Sequence, residues 1–188
     1  NLTETARGYI VELKALREST AKDIEELNRQ IADGVFALVN DPRRPMTAPR
    51  AQAAAPVLNF APLDNASITL DSAAAKFEKA YGALPASSAT AASLAQVNAL
   101  IRQSDQVLLL PDGLPRRPWY RHSLYAPGLY TGYGVKTMPG VREAIEQKDW
   151  KLADAEILRI AAALLRESDL VTRSAVLLEQ AVGARPLP

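Results

Sequence analysis

Apolar residues recur at intervals of three and four positions along most of the chain, the spacing that places them on one face of an α-helix. This pattern predicts long helices over residues 5–39, 64–83, 89–109 and 150–182, and a short one over residues 139–147. Four long helices with short or medium connections are typical of an all-α, four-helix-type bundle. The first stripe consists of Ile24, Leu27, Ile31, Val35 and Leu38, and the last of Ile157, Ile160, Leu164, Val171, Ala175, Leu178 and Val182.

Residues that start and stop helices separate these segments. Residues 42–62 are rich in Pro and Ala and have no periodicity, so we expect a connection that either crosses an end of the bundle or is mobile. Ser87 and Ser88 are candidate caps of the third long helix, and Asp149 of the last one. Pro139 suits the first turn of the short helix. No segment shows the period-two alternation of a β-strand.

The segment between the third long helix and the C-terminal helices breaks the helical pattern. Residues 110–138 are rich in Pro, Gly and aromatic residues and have no clear period. Four of the six tyrosines, one of the two tryptophans and the single histidine stand between Gly113 and Gly140. Irregular segments longer than about 12–15 residues are usually functional or disordered, and aromatic side chains have apolar surface to bury. We therefore predict a long, irregular functional loop.

The last predicted helix carries a second apolar stripe beside its main one. A helix with two apolar faces is suited to burial on two sides. This pattern fits a homodimer, and it also fits a helix buried centrally in a monomer. The second stripe consists of Ala155, Leu158, Ala162 and Leu165.

The charge and cysteine content of the chain argue against several classes of function. The 22 basic and 21 acidic residues leave no basic excess for binding nucleic acid. The absence of cysteine excludes disulfides and thiolate zinc sites. No apolar run approaches the roughly 18 residues of a membrane-spanning helix.

Catalytic motifs are missing as well. The sequence contains no HExxH, no GxSxG and no GxxxxGK[ST] phosphate loop. A zinc site without cysteine would need at least two further ligands around His122, the single histidine. We therefore expect neither catalysis nor a bound cofactor from this chain alone.

Within the irregular loop, the run GLPRRPWYRHSLYAP is followed by a Tyr-Gly stretch and then by MPG. This order and spacing resemble the C-terminal domain of the glutamate carboxypeptidase II family, which includes prostate-specific membrane antigen and bacterial relatives. In that family the domain is called the transferrin-receptor-like dimerisation domain, and the resemblance covers essentially the whole chain. The matching positions are Gly113, Leu114, Pro115, Arg117, Pro118, Trp119, Tyr120, Arg121, His122, Tyr125, Ala126, Pro127, Tyr133, Met138, Pro139 and Gly140.

The resemblance implies a role within a larger peptidase, of a bacterial member of the family. Residues 1–188 would form a single dimerisation domain, excised from a longer chain whose N-terminal peptidase domain holds two zinc ions and the general base. The implied partners are a second copy, that peptidase domain, and the C-terminus of a peptide substrate, whose pocket residues 111–140 would close. A secreted, periplasmic or membrane-anchored location is also implied.

Two alternatives keep the helical fold and change the function. The first is a dimerisation module of a non-enzymatic, transferrin-receptor-like protein. The second is an independent helical adaptor with a peptide groove, which would bind partners without a neighbouring domain.

The same resemblance names the candidate substrate-binding residues. The family's loop tyrosine contacts the carboxylate of the substrate's C-terminal residue and corresponds to Tyr133, whose phenol can donate to an anion; packing is the alternative role. A lysine precedes it in glutamate-preferring members, but Gly132 stands here, so a glutamate preference does not carry over. Lys136 is either its substitute or a solvated residue. Arg121 either binds a carboxylate or ties the loop to an acidic residue, and His122 is either near the pocket or structural.

The remaining loop residues have structural interpretations. Aromatic residues of the motif are expected to anchor the loop by burial in the core or in an interface. Proline stiffens the loop, and glycine supplies backbone freedom or close approach. The anchors are Trp119, Tyr120 and Tyr125, and the backbone positions are Pro127, Gly128 and Gly132.

Overall fold

The computed structural model describes residues 2–38, 43, 47–84 and 91–183. Helices dominate these residues, and the only strands among them form one small antiparallel hairpin. This architecture confirms the predicted all-α bundle with an irregular loop. The helices are α1 (Leu2–Ala32), α2 (Val35–Leu38), α3 (Ala61–Gly82), α4 (Ala91–Ile101), α5 (Ser104–Val107), α6 (Pro139–Glu146) and α7 (Trp150–Gly183), and the strands are β1 (Tyr125–Pro127) and β2 (Val135–Thr137).

Helix α7 is the centre of the bundle. Helices α3, α4, α5 and α6 all pack on it, and α1 packs on α3 and α6. The predicted stripe of α7 is buried from Ile157 through Leu164, Ala175 and Leu178, whereas Val171 is half-buried. The side chain of Val182 lies outside the described residues. The first part of this stripe meets Leu63, Leu70 and their neighbours in the main core, while Ala175 and Leu178 pack with Ala80 and Val97 in a second, smaller cluster.

The first helix differs from the prediction of one helix over residues 5–39. It ends at Ala32, and Gly34 adopts a left-handed conformation with φ +70° before the single turn of α2. Glycine is favoured at such a helix end because it has no Cβ to clash. Val39, the predicted last residue, lies outside the described residues.

The predicted stripe of the first helix is also only partly correct. Ile24 is buried, but Val35 is exposed over 37% and Leu38 over 85% of its surface. The buried face instead runs through the N-terminal half, which packs on α3 and α6. Its apolar members are Ala6, Ile10 and Leu13, and Ile24 is a further buried residue in the C-terminal half.

The third long helix is divided rather than continuous over residues 89–109. Helix α4 ends at Ile101, a turn follows at Arg102 and Gln103, and α5 is short. The polar run from Arg102 to Gln106 offers no apolar face that tertiary packing could stabilise as helix. The candidate caps Ser87 and Ser88 lie outside the described residues.

The described part of the predicted connection lies along α1. The side-chain amide of Asn28 donates to the Gln52 carbonyl and accepts from its amide, both at 2.8 Å. Arg17 Nε donates to the Pro56 carbonyl at 3.0 Å. Leu58 and Phe60 then enter the main core. Helix α3 begins at Ala61, three residues before the predicted start.

The C-terminal helices begin where the sequence predicted. Pro139 occupies the first turn of α6, which ends at Glu146, one residue before the predicted end. Asp149 caps α7, since its Oδ1 accepts a hydrogen bond from the Leu152 amide at 3.1 Å. Both helix starts are therefore confirmed.

The hairpin is the element that the sequence pattern did not predict. Strands β1 and β2 pair antiparallel, with Ala126 opposite Lys136. Each strand has three residues, which is too short for a period-two pattern to be visible. The hairpin supports the seven-residue tip from Gly128 to Gly134.

Two carboxyl groups on α7 are buried among apolar neighbours. Glu156 and Glu167 are each exposed over only 2% of their surface, and one oxygen of each has no hydrogen-bond partner among the described residues. Burial raises the pKa of both carboxyls, while Arg159 opposes the shift at Glu156 and Ser104 opposes it at Glu167. Folding therefore favours their protonated forms.

We expect Glu156→Gln to stabilise the chain at neutral pH. Because the folded-state pKa of Glu156 lies above its unfolded value of 4.5, its contribution to stability is present below pH 4.5 and is lost as the pH rises through the folded pKa. Glutamine stays neutral and removes that loss. Urea unfolding between pH 4.5 and 8 should show a flatter pH profile for this variant. Glu179→Gln, at an exposed position of the same helix, should leave the profile unchanged.

Candidate functional site

The irregular loop is folded on itself by backbone hydrogen bonds. The Leu110 amide donates to the Arg121 carbonyl at 2.7 Å, and the Leu114 amide donates to the Tyr120 carbonyl at 2.8 Å. Leu110 and Leu114 form a small separate core with Ala126 of β1. The loop is therefore an ordered part of the fold with its own apolar centre.

A buried ion pair connects this loop to helix α6. Arg117 is exposed over only 2% of its surface, and its Nη2 donates to both carboxylate oxygens of Glu143 at 2.7 and 2.6 Å. Arg117 Nη1 donates to the Pro127 carbonyl, and Glu143 Oε1 accepts from the Leu129 amide at 2.7 Å. The guanidinium also lies 5.6 Å from the ring centre of Tyr120.

The ion pair thus joins the first half of the loop, the end of β1 and the start of the hairpin tip to one carboxylate. Sequence reasoning missed this role, although Arg117 stands in the quoted motif. Glu143 follows the MPG signature by three positions, which would have been the available signal. A second arginine adds a link, since Arg159 Nη2 on α7 donates to the Gly113 carbonyl at 2.8 Å.

His122 is held in a neutral, oriented state. Its Nδ1 accepts a hydrogen bond from the Leu124 amide at 3.2 Å, which places its proton on Nε2. Burial lowers the pKa of His122, and the nearby charge of Asp105 only partly opposes this shift. The ring packs against that of Tyr125 with centroids 4.0 Å apart. Its Nε2 is buried without a partner among the described residues.

Arg121 and Lys136 have different surroundings. Arg121 is exposed, its Nε donates to the Leu110 carbonyl at 3.2 Å, and no ion pair to it is present in the described parts of the chain. Lys136 Nζ contacts Glu146 of α6 at 2.6 Å, so its charge is already compensated. Of these two cations, only Arg121 is available to an external carboxylate.

Tyr133 lies at the tip of the hairpin and is fully exposed, with a relative exposure of 102%. Gly132 before it has φ +63°, and a Cβ built there would meet no atom within 4 Å. Gly128 is a position of close approach, because its Cβ would lie 2.1 Å from Thr131 Oγ1. The structure therefore brings His122 against Tyr125 and pairs the strand of Tyr125 with that of Lys136, whereas Tyr133 is fully exposed at the tip.

The predicted aromatic anchors do not lie in the core of this chain. Trp119 is exposed over 72%, Tyr125 over 51% and Tyr120 over 38% of its surface. The interpretation as core residues is wrong, because the loop buries leucines and Arg117 instead; burial in an interface stays a prediction. Together with Tyr130 and Tyr133, these side chains form the exposed aromatic surface of the loop.

Metal-ligand clusters and membrane-spanning helices are two further kinds of functional feature. No three His, Asp or Glu side chains lie close enough to hold a metal ion within the residues that the structure describes. The described helices include none long and apolar enough to cross a membrane. The chemistry that the described side chains offer is hydrogen bonding, stacking and charge contact with a partner.

The fold and the loop define a helical bundle domain whose irregular loop exposes several aromatic side chains. The model of the transferrin receptor-like dimerisation domain matches residues 58–172, which is more than half of the chain. The chain belongs to this family.

Two curated relatives are similar over shorter stretches. A probable glutamate carboxypeptidase of Arabidopsis thaliana is 33% identical over 85 residues, which cover 42% of this chain and 12% of that protein. A probable glutamate carboxypeptidase of Arthroderma benhamiae is 46% identical over 50 residues, covering 27% of this chain and 7% of that protein. The aligned stretches thus span only a small part of each relative's length.

Breaking the buried ion pair should strongly destabilise the chain. Arg117→Met leaves Glu143 buried without its counter-ion, and we expect a loss of about 3–5 kcal/mol in urea unfolding. Arg173→Met removes an exposed pair with Asp169 and should cost less than about 1 kcal/mol. Arg117→Met combined with Glu143→Met should cost less than the sum of the single changes. Additive losses would contradict direct coupling.

Gly113 should tolerate no side chain. It has φ +70°, and a Cβ would lie 2.2 Å from the Pro118 carbonyl oxygen, a backbone atom that cannot move alone. We expect Gly113→Ala to cost about 3 kcal/mol or more, since overpacking adds to backbone strain. Gly34 has the same φ with open space around it, so Gly34→Ala should cost about 1 kcal/mol. Equal losses in unfolding experiments would contradict the steric argument.

Proposed function

We propose that this chain is the dimerisation domain of a zinc-dependent, glutamate carboxypeptidase-like peptidase, in which residues 111–140 close the pocket for the substrate's C-terminal residue. The observation that carries this proposal is the exposed aromatic surface, held in place by a buried ion pair within a domain of this family. Apolar side chains that are fixed and exposed together are typical of a binding surface. The printed names of both relatives support the reaction class.

In this proposal the peptidase chemistry lies outside the 188 residues. The described residues do not fit a zinc site, because the single histidine has no acidic partners close enough to complete one. Two zinc ions would therefore belong to a peptidase domain elsewhere in a longer protein. The small share of each relative that this chain matches is consistent with such an arrangement.

The role of Tyr133 is to bind the carboxylate at the end of the substrate. Its phenol donates one hydrogen bond without introducing a charge, and its full exposure leaves it free to meet a ligand in a neighbouring domain. Arg121 is the cation best placed to assist, since Lys136 is paired with Glu146. Gly132 leaves no side chain to pair with an acidic substrate, so the preferred terminal residue is a matter for experiment.

Removing the Tyr133 hydroxyl should impair the longer protein. A hydrogen bond to a charged group contributes about 1.5–3 kcal/mol, so Tyr133→Phe should lower kcat/KM by about 10- to 100-fold. The substrates are peptides that differ only in a C-terminal Glu, Ala or Leu. Tyr130→Phe, at the same hairpin tip with 76% exposure, is the matched control and should change kcat/KM less than about twofold.

Three other outcomes would contradict all or part of the proposal. Activity that persists after treatment with a metal chelator would exclude zinc dependence. A wild-type protein that is inert towards every peptide would favour the non-enzymatic, receptor-like dimerisation module instead. Equal effects of the two tyrosine variants would show that Tyr133 does not bind the substrate. They would not contradict the claim that the longer protein is a peptidase.

A further inference from the structure

The base of the irregular loop is held from helix α7 through one peptide group. Arg159 Nη2 donates to the Gly113 carbonyl at 2.8 Å, and the Leu114 amide donates to the Tyr120 carbonyl at 2.8 Å. The Gly113 carbonyl and the Leu114 amide belong to the same planar peptide group. That group is therefore fixed on both sides, and it keeps its orientation as long as both hydrogen bonds are intact.

The same peptide group determines the place of Arg121. The Tyr120 carbonyl, which accepts from the Leu114 amide, is part of the peptide group that leads into Arg121. The Arg121 carbonyl in turn accepts from the Leu110 amide at 2.7 Å. The backbone of Arg121 is thus anchored on both sides, while its side chain stays exposed. Two hydrogen bonds in series connect Arg159 to this backbone.

Arg159 is directed towards the loop by a buried carboxylate. Its Nη1 donates at 2.5 Å to Oε1 of Glu156, three positions earlier on α7, while its Nη2 reaches the Gly113 carbonyl. The Glu156 side chain is exposed over 2% of its surface, whereas that of Arg159 is exposed over 31%. Without the carboxylate, this guanidinium is free to turn towards solvent. Glu156 therefore decides whether Arg159 stays on the loop.

Glycine at position 140 makes room for this carboxylate. A Cβ built on Gly140 would lie 2.3 Å from Glu156 Oε2 and 3.0 Å from its Cδ. Oε2 has no hydrogen-bond partner among the described residues. The carboxylate is therefore held by Arg159 on one side and by packing against the first turn of α6 on the other. The glycine of the MPG signature thus admits Glu156 to its place.

We propose that Glu156 and Arg159 are positioning residues, which hold Arg121 in the geometry that binds the carboxylate of the substrate's C-terminal residue. Both act through the backbone of the loop. The role of Arg121 rests on the proposed function, whereas the contacts of the two positioning residues do not. We call Glu156, Arg159 and the peptide group between Gly113 and Leu114 the loop clamp.

The loop clamp depends on the charge of Glu156. Burial raises the pKa of its carboxyl, and Arg159 opposes this shift. The clamp is therefore complete above the folded-state pKa, and it weakens as the pH falls through that value. The effect on global stability has the opposite sign, because the ionised carboxylate is the form that burial penalises. Neutralising Glu156 should thus loosen the loop and stabilise the whole chain.

Other ionisable groups surround the clamp, and they do not control Glu156. Among the described residues, Arg159 is the one charged group that shifts the pKa of Glu156. A comparison of wild type with Glu156→Gln at each pH cancels the responses of the other groups. On α6 and in the loop these are the ion pairs Arg117–Glu143, Glu12–Arg142 and Lys136–Glu146, and the groups Asp112, Arg116, Arg121 and His122, which have no ion pair in the described parts of the chain.

The first experiment measures the protection of the Leu114 amide from hydrogen exchange by NMR. In Glu156→Gln at neutral pH, we expect the protection factor of Leu114 to fall about tenfold, because Arg159 loses its counter-ion. The Leu110 amide bonds to the Arg121 carbonyl without help from Arg159, and its protection should change less than about twofold. As the pH falls through the folded-state pKa of Glu156, the wild-type value for Leu114 should converge on that of the variant.

Glu167→Gln is the matched control. Glu167 is another carboxyl on α7 with 2% exposure and a pKa raised by burial, but its hydrogen-bond partner is Ser104 rather than an arginine. Both variants remove a buried charge, so both should raise the free energy of unfolding in urea at neutral pH. Only Glu156→Gln should combine a more stable chain with a less protected Leu114. Equal losses at Leu114 in the two variants, or no loss in Glu156→Gln, would overturn the proposal.

A second variant tests the geometry without changing any charge. Gly140→Ala keeps the carboxylate but forces it out of its place, and alanine is otherwise favourable in a helix. The Leu114 protection factor should again fall about tenfold. In a chain that also carries Glu156→Ala, the space is open, so Gly140→Ala should add less than about twofold. Additive losses would show that Gly140 does not act through Glu156.

In the longer protein, the loop clamp should affect substrate binding more than turnover. We expect Glu156→Gln to raise KM about 3- to 10-fold and to leave kcat within about twofold, because it displaces a binding group and leaves the chemistry unchanged. Glu167→Gln should change neither value. In the presence of Arg121→Met, Glu156→Gln should have no further effect on KM, and an additional loss would overturn Arg121 as the target.

The two experiments separate the failure of this inference from the failure of the proposed function. A longer protein that is inert towards every peptide would remove the peptidase role, and with it the role of Arg121 in substrate binding. The hydrogen exchange of Leu114 needs no substrate and decides the loop clamp in either case. An active peptidase with unchanged KM in Glu156→Gln would overturn the positioning role alone.

Discussion

The arrangement of the loop depends on the desolvation of one guanidinium. A charge with 2% exposure is stable only if its carboxylate partner and hydrogen bonds replace the water that it has lost. Arg117 meets most of this condition through Glu143 and the Pro127 carbonyl, although its Nε is buried without a partner among the described residues. Glu143 also accepts a hydrogen bond from the Leu129 amide. Strand β1, the start of the tip and helix α6 must therefore adopt their places together.

With the loop fixed from inside, its large aromatic side chains are left for contact with other surfaces. Trp119 and Tyr133 contribute little to the core of the chain, because both side chains are exposed. The loop buries the charged side chain of Arg117 instead. Helix α7 likewise has one buried face and one exposed face. One face buries Ile157, Ile160 and Leu164 in the bundle, while the other side exposes Leu158, Leu165 and Val176. Both the loop and this helix face fit a dimerisation domain.

The sequence predicted the parts of the fold that rest on local physics. Periodicity and capping located the starts of α6 and α7, since Pro139 and Asp149 act within one helical turn. The predictions were wrong where tertiary packing or one backbone conformation decides, as at Gly34 and in the polar run before α5. The pairing of Arg117 with Glu143 joins residues 26 positions apart, and no local pattern encodes it.

Gly132 has open space around it, whereas other positions of the same hairpin are held by contacts with the buried ion pair. The N-terminal side of the hairpin is tied to the buried ion pair through the Pro127 carbonyl and the Leu129 amide, so substitutions there affect the whole loop. At Gly132, by contrast, a new side chain meets no neighbouring atom, and its cost is limited to the left-handed backbone. Gly132 is therefore the position at which the hairpin can accept a side chain without disturbing the ion pair below it.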